Sequence, residues 1–435
     1  MTEREVLLAP ELLSTVTQPG LEVFQVTTDP EVASHLFYNY HQMVEPTSRF
    51  LLFNRSRGNV STLWQCDLAD RFALAPITDA SEQAAGGHGA VSFSPDGRWI
   101  WYVCLTASRY ELRRRPLGGG AAETLLALDR ARPEFGGRAI TGARWLSFSH
   151  DGRRLLSVIN LEGTGRFDSR AILTIDPEKM ELRTAFETGP RNWNNKSQYA
   201  PCLGPKGEYL ISLGDFYSQT WTDETGTWRC EKTPDAELGG GADYLVDENG
   251  VTRYAYPVGR DHPRQNVSHR AWFGNSLAKV FHCDATDTAP HWRGAILLAE
   301  PVPADDTSRH LGRQIPGGHQ IELTRHITRP DVCHLCVSAD ASAMVCDTIG
   351  YGGNGIESYL YTATLDKDAG GPFVRPRYLL HPKSSWKPYW CETLPCMTPD
   401  KGWIFFNSDY PGVNGYKGAR HTPQLFAIRG MAWQP

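Results

Sequence analysis

The chain has 435 residues, which exceeds one ordinary compact core and suits either several domains or one large repetitive architecture. Apolar residues make up 40% of the chain and charged residues 21%, so general disorder is excluded. The formal net charge of −5 excludes a basic surface that would follow a phosphate backbone, so we expect no nucleic-acid partner. The 41 glycines and 29 prolines indicate frequent turns and favour short strands over long helices.

The N-terminal segment MTEREVLLAPELLSTV carries three charges among its first five residues and has no long apolar stretch. No run of 18 apolar residues occurs anywhere in the chain, so we expect no membrane span and no membrane partner. These features predict a cytoplasmic protein, or a secreted one if the given chain begins after a removed signal.

The cysteines are too sparse for a disulfide scaffold, since the whole chain contains 10. Most of them lie in apolar, strand-like stretches, as Cys104, Cys202 and Cys346 do, and we expect buried thiols there. Cys333 and Cys336 have the spacing of half a zinc knuckle. No second pair follows at a usable spacing, so this pattern does not predict a zinc knuckle.

A degenerate internal repeat is the most informative feature of the sequence. The segments HGAVSFSPDGRWIWYV (88–103) and GARWLSFSHDGRRLLSV (142–158) each predict an alternating strand, a turn with Asp and Gly, and a second apolar strand. The same strand–turn–strand pattern recurs along the chain with weaker matches. Its successive turn residues are 49 to 69 residues apart. These turn residues are Pro46, Pro95, His150, Pro205, Gly274, Ala339 and Pro399.

A repeat of this length with two hairpins predicts one four-stranded blade per unit. Second hairpins are visible at 61–79 and 169–186. We therefore predict an all-β, seven-bladed β-propeller that forms a single domain over residues 1–435. A string of separate β-sandwiches is the alternative, but it needs linkers, and no Pro/Ser-rich spacer separates the units.

The strand before each repeated turn is the predicted innermost strand of its blade, which lines the channel of a propeller. Polar side chains occupy two positions of this strand, five and seven residues before the turn residue: His41, His269 and His334 at the first, and His88, Gln198 and Glu392 at the second. Both positions share one face because side chains alternate along a strand. We expect these groups to form a polar pocket that binds a metal or moves a proton. Channel residues that only hold water are the alternative.

Arginine and aromatic side chains flank the same positions. Arg270 follows His269, and Arg144 has nearly the equivalent place in the third repeat. A guanidinium fork suits a carboxylate, although a surface ion pair is an equally good interpretation. Trp272 and Tyr389 have flat faces that suit a pyranose ring, or blade packing.

The sequence lacks the motifs of several other function classes. It has no GxxxxGK[ST] and no strand-linked GxGxxG, so nothing predicts nucleotide binding. It has no GxSxG, which argues against a serine hydrolase that uses a propeller as a gate.

Three segments resemble the oligogalacturonate lyase family of seven-bladed propellers. They are His35-x-x-Tyr38-x-Tyr40, Ser268-His269-x-x-Trp272 and Cys333-His334-Leu335. The resemblance implies a lyase that acts on uronate oligosaccharides, with His269 as the Brønsted base. It also implies a divalent metal, manganese or calcium, with His334 among its ligands.

The chain departs from the family where the family's closing blade gives a Gln and two His to the metal. Tyr389, Glu392 and Leu394 stand at those positions here, which leaves His334 and Glu392 as the ligands that the resemblance implies. The family's substrate arginine falls on Ala242. We therefore expect a uronate-containing glycan other than oligogalacturonate as substrate.

The implied reaction is β-elimination at a 4-linked uronic acid, which removes the proton at C5 and expels the glycosidic oxygen from C4. A cation or an arginine must neutralise the adjacent carboxylate, and a histidine is a suitable base near neutral pH. The predicted catalytic residues are His269 as base, Arg270 on the carboxylate, and Tyr199 or His41 as acid. The predicted substrate contacts are His88, Gln198, Arg144, Trp272 and Tyr389.

Two other functions stay open at this point. One is a non-catalytic propeller that binds a protein or a glycan. The other is a propeller glycoside hydrolase, which needs two carboxylates, whereas Glu392 is the only acid at the two channel positions.

Overall fold

A computed structural model describes residues 4–14, 17–37, 43–82, 90–162, 170–187, 197–215, 221–223, 226–228, 242–257, 266–284, 294–305, 320–327, 332–348, 358–384, 391–410 and 422–433. The chain divides into two compact units. Unit 1 comprises Met1–Gln83, Gly294–Ile296 and Glu322–Pro435, and unit 2 comprises Ala84–Arg293 and Leu297–Ile321. A single domain over residues 1–435 stays a prediction.

Strands make up nearly all the regular structure of the described residues. In chain order they are β1 (Leu7–Leu8), β2 (Glu22–Gln25), β3 (Ala33–His35), β4 (Phe50–Arg57), β5 (Val60–Asp67), β6 (Ala73–Pro76), β7 (Val91–Phe93), β8 (Trp99–Leu105), β9 (Arg109–Pro116), β10 (Glu123–Asp129), β11 (Ile140–Phe148), β12 (Leu155–Leu161), β13 (Arg170–Asp176), β14 (Glu181–Glu187), β15 (Ile211–Asp215), β16 (Trp221–Asp223), β17 (Gly226–Trp228), β18 (Ala242–Val246), β19 (Thr252–Ala255), β20 (Asn266–Trp272), β21 (Lys279–Asp284), β22 (Ile296–Ala299), β23 (Val302–Pro303), β24 (Gln320–Glu322), β25 (Val332–Val337), β26 (Ala343–Thr348), β27 (Leu360–Asp368), β28 (Gly371–Leu380), β29 (Cys396–Met397), β30 (Trp403–Ser408) and β31 (Gln424–Arg429). The helices of the described residues are the 3₁₀ turns Pro10–Leu12, Ala80–Glu82 and Pro133–Phe135. Among these residues no helix has the length and apolar character that a bilayer span requires.

The sheets follow the sequence repeat, and each repeat forms one blade. Blades 1 to 7 are β3-β4-β5-β6, β7-β8-β9-β10, β11-β12-β13-β14, β15-β18-β19-β23, β20-β21-β22-β24, β25-β26-β27-β28 and β29-β30-β31-β2-β1. A further ribbon, β16-β17, lies in the insertion of blade 4. The all-β, seven-bladed β-propeller that the repeat predicts is therefore confirmed.

Blade 7 joins the two ends of the chain. Strand β2 pairs antiparallel with β31, with Val23 opposite Ile428, and β1 continues the sheet outward. Val23 is buried, and the backbone N–H of Leu425 donates to the buried Thr27 hydroxyl at 2.9 Å. The N-terminal segment thus completes the last blade.

The repeated turn owes its shape to one hydroxyl and one carboxylate. In blade 2 the Ser94 hydroxyl donates to Asp96 and accepts the backbone N–H of Trp99 at 3.0 Å. The same arrangement recurs with the pairs Ser149 and Asp151, Ser338 and Asp340, and Thr398 and Asp400. The residue after the Asp has a positive φ, +69° at Gly97, which glycine adopts without strain.

Buried apolar residues fill the space between neighbouring blades. In unit 2, a continuous cluster from blades 2 and 3 includes Val103, Leu146 and Leu173. Within it the rings of Trp101 and Phe148 meet edge to face, with centroids 5.3 Å apart. Strands buried on both faces account for the apolar runs that mark the repeat in the sequence.

The cysteines of the described residues are thiols, and all of them except Cys202 are buried. This confirms the prediction for Cys104 and Cys346, while Cys202 is half-buried. Burial raises the pKa of the Cys336 thiol to about 11.

Candidate functional site

Three first strands carry an irregularity shortly before their repeated turn. In each, the pairing register with the second strand shifts, as at a β-bulge. The shifts fall between Ala143 and Trp145, between Val267 and Arg270, and between Val332 and Leu335. Each shift includes one predicted site residue: Arg144, His269 or His334. Bulges of this kind often accompany active sites, because they re-aim side chains.

His334 is held by a carboxylate on the neighbouring strand of blade 6. Its backbone N–H donates to Asp347 Oδ1 at 2.7 Å, and its ring Nδ1 lies 2.8 Å from Asp347 Oδ2. The Thr393 hydroxyl also donates to Asp347 Oδ2. The side chains of His334 and Asp347 are each 1% exposed. An ionised carboxylate only accepts hydrogen bonds, so the tautomer of His334 that donates to Asp347 has its hydrogen on Nδ1 and its lone pair on Nε2.

Two further potential ligands surround that second nitrogen. Glu392 Oε2 and Cys333 Sγ each lie 3.6 Å from His334 Nε2. The Glu392 side chain is 30% exposed, whereas Cys333 is buried. Asn407 holds the backbone of Glu392 by donating to its carbonyl at 3.2 Å, and it accepts the N–H of Leu36 at 3.0 Å.

This arrangement fits a divalent cation. An imidazole nitrogen and a carboxylate oxygen are ligands that manganese accepts, and calcium prefers the oxygen. A carboxylate on the distal nitrogen of a ligating histidine is the usual support of such a site. The structure thus brings together His334 and Glu392, the two residues for which the sequence predicts a metal.

His269 is half-buried on β20 of blade 5. Its ring stacks beside that of His282 on β21, with centroids 6.1 Å apart and planes 18° from parallel. His282 is itself buried.

Arg270 and Trp272 of blade 5 belong to a buried cluster that includes Asp243 on β18 of blade 4. Arg270 Nε lies 3.1 Å from Asp243 Oδ2, and Lys279 Nζ lies 3.3 Å from the same oxygen. The ammonium group of Lys279 lies 4.4 Å from the centroid of the Trp272 ring. Burial lowers the pKa of Lys279 to about 8, against the attraction of Asp243. A Cβ at Gly214 would lie 2.0 Å from Arg270 Nη2, so this glycine provides the space for the guanidinium.

Three other predicted residues lie on blades 3 and 4. The Tyr199 hydroxyl donates to Glu248 Oε1 at 2.7 Å, and its pKa is raised far above the usual value by burial and by the Glu248 charge. Gln198 is half-buried, and its carbonyl accepts the N–H of Ser212 at 2.9 Å. Arg144 is half-buried on β11. Their roles in binding and catalysis stay predictions.

The remaining predicted residues, His41, His88 and Tyr389, lie outside the described residues.

Sequence reasoning did not select Asp347, Thr393 or the ion pair of Asp243 with Lys279. A signal was present, because a charged residue interrupts an apolar strand in AMVCDT (343–348) and in LAKVFHC (277–283). Such a charge is buried only when it is paired. Thr393 gives no comparable signal.

Comparisons with known proteins find similarity in structure only. No protein-family model matches the chain, and no curated protein matches it. An oligogalacturonate lyase solved in complex with manganese superposes with a TM-score of 0.60 at 16% identity, covering 99% of this chain and 98% of that chain. An oligogalacturonate lyase from Vibrio parahaemolyticus superposes with a TM-score of 0.59 at 14% identity, covering 98% and 97%. The chain therefore shares the propeller fold of the oligogalacturonate lyases, which agrees with the resemblance in its sequence.

Proposed function

We propose that this protein is a polysaccharide lyase that cleaves 4-linked uronic acid residues of oligosaccharides by β-elimination. The observation that carries the proposal is the buried His334–Asp347 pair, whose imidazole turns its other nitrogen toward the half-exposed Glu392. The fold shared with oligogalacturonate lyases supports the same reaction class.

His334 and Glu392 are the proposed holders of the cation, and Asp347 keeps the imidazole oriented. A divalent cation bound there supplies positive charge that offsets the uronate carboxylate and makes the C5 proton more acidic. Because Arg270 is already ion-paired with Asp243, we assign the neutralising role to the cation site rather than to this arginine. Arg270 and Lys279 instead neutralise the buried carboxylate of Asp243.

His269 is the proposed base. It takes the C5 proton, the electrons of that C–H bond form the C4–C5 double bond, and the C4–O bond breaks. The leaving oxygen then takes a proton. Since the Tyr199 hydroxyl is engaged with Glu248 and its pKa is raised, we assign this last proton to His41 in preference to Tyr199.

The substrate that fits the proposal is a short uronate oligosaccharide. The departures from the family at Glu392 and Ala242 favour a glycan other than oligogalacturonate.

The test is a panel of oligogalacturonate, glucuronate-ended and ulvan-type oligosaccharides, incubated with the full chain with and without added divalent metal. We expect ultraviolet absorbance from a 4,5-unsaturated product on at least one substrate, and its loss on chelation. No absorbance on any substrate contradicts the proposal and supports a binding platform instead.

A further inference from the structure

We infer that Cys333 is a third ligand of the cation site, so that the site selects a thiolate-binding metal such as zinc over manganese. The inference adds the class of metal to the proposed function. Only the role of the metal in catalysis rests on that function. The binding itself is measured without substrate.

The first support is the bulge in β25. Consecutive residues of a regular strand point to opposite faces, so the side chains of Cys333 and His334 should diverge. Instead Cys333 Sγ lies 3.6 Å from His334 Nε2, because the register shift between Val332 and Leu335 changes the direction of the strand there. The bulge thus brings a sulfur next to the nitrogen that faces Glu392.

The second support is the spacing of the donor atoms. Zinc–nitrogen bonds of about 2.1 Å and zinc–sulfur bonds of about 2.3 Å at a tetrahedral angle separate the two ligand atoms by about 3.6 Å. That is the observed distance between His334 Nε2 and Cys333 Sγ. The corresponding nitrogen–oxygen separation is about 3.4 Å, close to the observed 3.6 Å from His334 Nε2 to Glu392 Oε2.

The third support is the character of the donors. A thiolate beside an imidazole selects zinc or another soft metal, whereas manganese prefers carboxylates, carbonyls and water. Glu392 is 30% exposed, so solvent reaches this group of donors.

Cobalt(II) substitution tests the inference, because a thiolate ligand adds a charge-transfer absorption in the near ultraviolet. We expect the metal-stripped full chain to show this band on cobalt titration and to lose it when zinc is added. Cys333→Ser should abolish the band and weaken zinc binding about tenfold or more, as loss of even an outer-shell partner does. Cys336→Ser is the matched control, since Cys336 is a buried thiol on the same strand, and it should keep the band.

A wild-type protein without the band, or a band that persists in Cys333→Ser, overturns the inference. If Cys333→Ser does not fold, zinc-edge X-ray absorption of the wild type decides by the presence or absence of a sulfur at about 2.3 Å. The outcome is separable from that of the proposed function. A thiolate-bound zinc without lyase activity rejects the function alone, and lyase activity in a protein without the band rejects the third ligand alone.

Discussion

His334 lies between two carboxylates that have different tasks. Asp347 is 1% exposed, accepts two hydrogen bonds from His334 and one from Thr393, and has no open side for a ligand. Glu392 is 30% exposed and meets the other ring nitrogen at a distance too long for a hydrogen bond. We therefore assign the orienting role to Asp347 and, in the proposed function, the cation-binding role to Glu392.

Replacing Asp347 by Asn tests the orienting role. The amide keeps the shape but loses the negative charge that holds the imidazole in its orientation, so we expect metal affinity to fall about 10- to 100-fold. Competition with a chromogenic chelator measures it. Asp366→Asn, which changes an exposed ion pair with Arg375 in the same blade, should leave the affinity unchanged. Equal metal affinities of the wild type, Asp347→Asn and Asp366→Asn would reject the orienting role of Asp347.

Replacing His269 by Ala tests the base. Loss of a positioned base lowers kcat by about 10²- to 10⁴-fold, and we expect a fall in this range on the best substrate of the panel. His150→Ala, a histidine on a repeated turn, serves as the control and should retain full turnover. A His269→Ala protein with near-wild-type turnover excludes this residue from the mechanism.

The lowered pKa of Lys279 predicts that the free energy of unfolding depends on pH. The unfolded chain keeps its lysine proton up to the ordinary pKa of 10.5, whereas the folded protein releases it at about 8. Between these values the unfolded state binds more protons, so this lysine makes the free energy of unfolding rise with pH. Relative to Lys279→Met, the wild type should gain on the order of 1–3 kcal/mol from pH 8 to 10.5. Denaturant midpoints across this range measure the gain, and a constant difference would contradict it.

The hairpin is the element that the sequence predicts best, and the bulge is the element that it predicts least. The turn depends on residues at most three positions apart, such as Thr398 and Lys401, so one local pattern identifies it in several blades. A bulge depends on the register between two strands, which alternation along one strand does not reveal. The sequence therefore places His334 on the right strand, while its proximity to Cys333 requires the fold.

Thr398 gives a stability test of the repeated turn. Its buried hydroxyl accepts the N–H of Trp403 at 3.0 Å and donates to Asp400. Thr398→Ala leaves that N–H without its acceptor, and we expect a loss of about 1–3 kcal/mol in the free energy of unfolding. Thr398→Ser keeps the hydroxyl and should lose less. Equal losses in the two variants would show that packing of the methyl group, and not the hydrogen bond, stabilises the turn.

Over the whole molecule, seven copies of one hairpin pattern were enough to predict the architecture. The closing of blade 7 by β2 was not predicted, because a four-residue strand has no repeated turn beside it and its partner lies about four hundred positions away in sequence. The same limit applies to the site. Residue type and position in the repeat identify His334 and Glu392. Asp347 joins them only through the pairing of β25 with β26, and Thr393 only through a contact from the segment that precedes β29.

The reaction type is tested most directly by the masses of the products formed from a uronate oligosaccharide. β-Elimination adds no water, so the account predicts two fragments whose masses sum to that of the substrate, one of them carrying the unsaturated ring. Fragments that together exceed the substrate by one water would identify a hydrolase and contradict the account, as would a substrate panel that remains uncleaved.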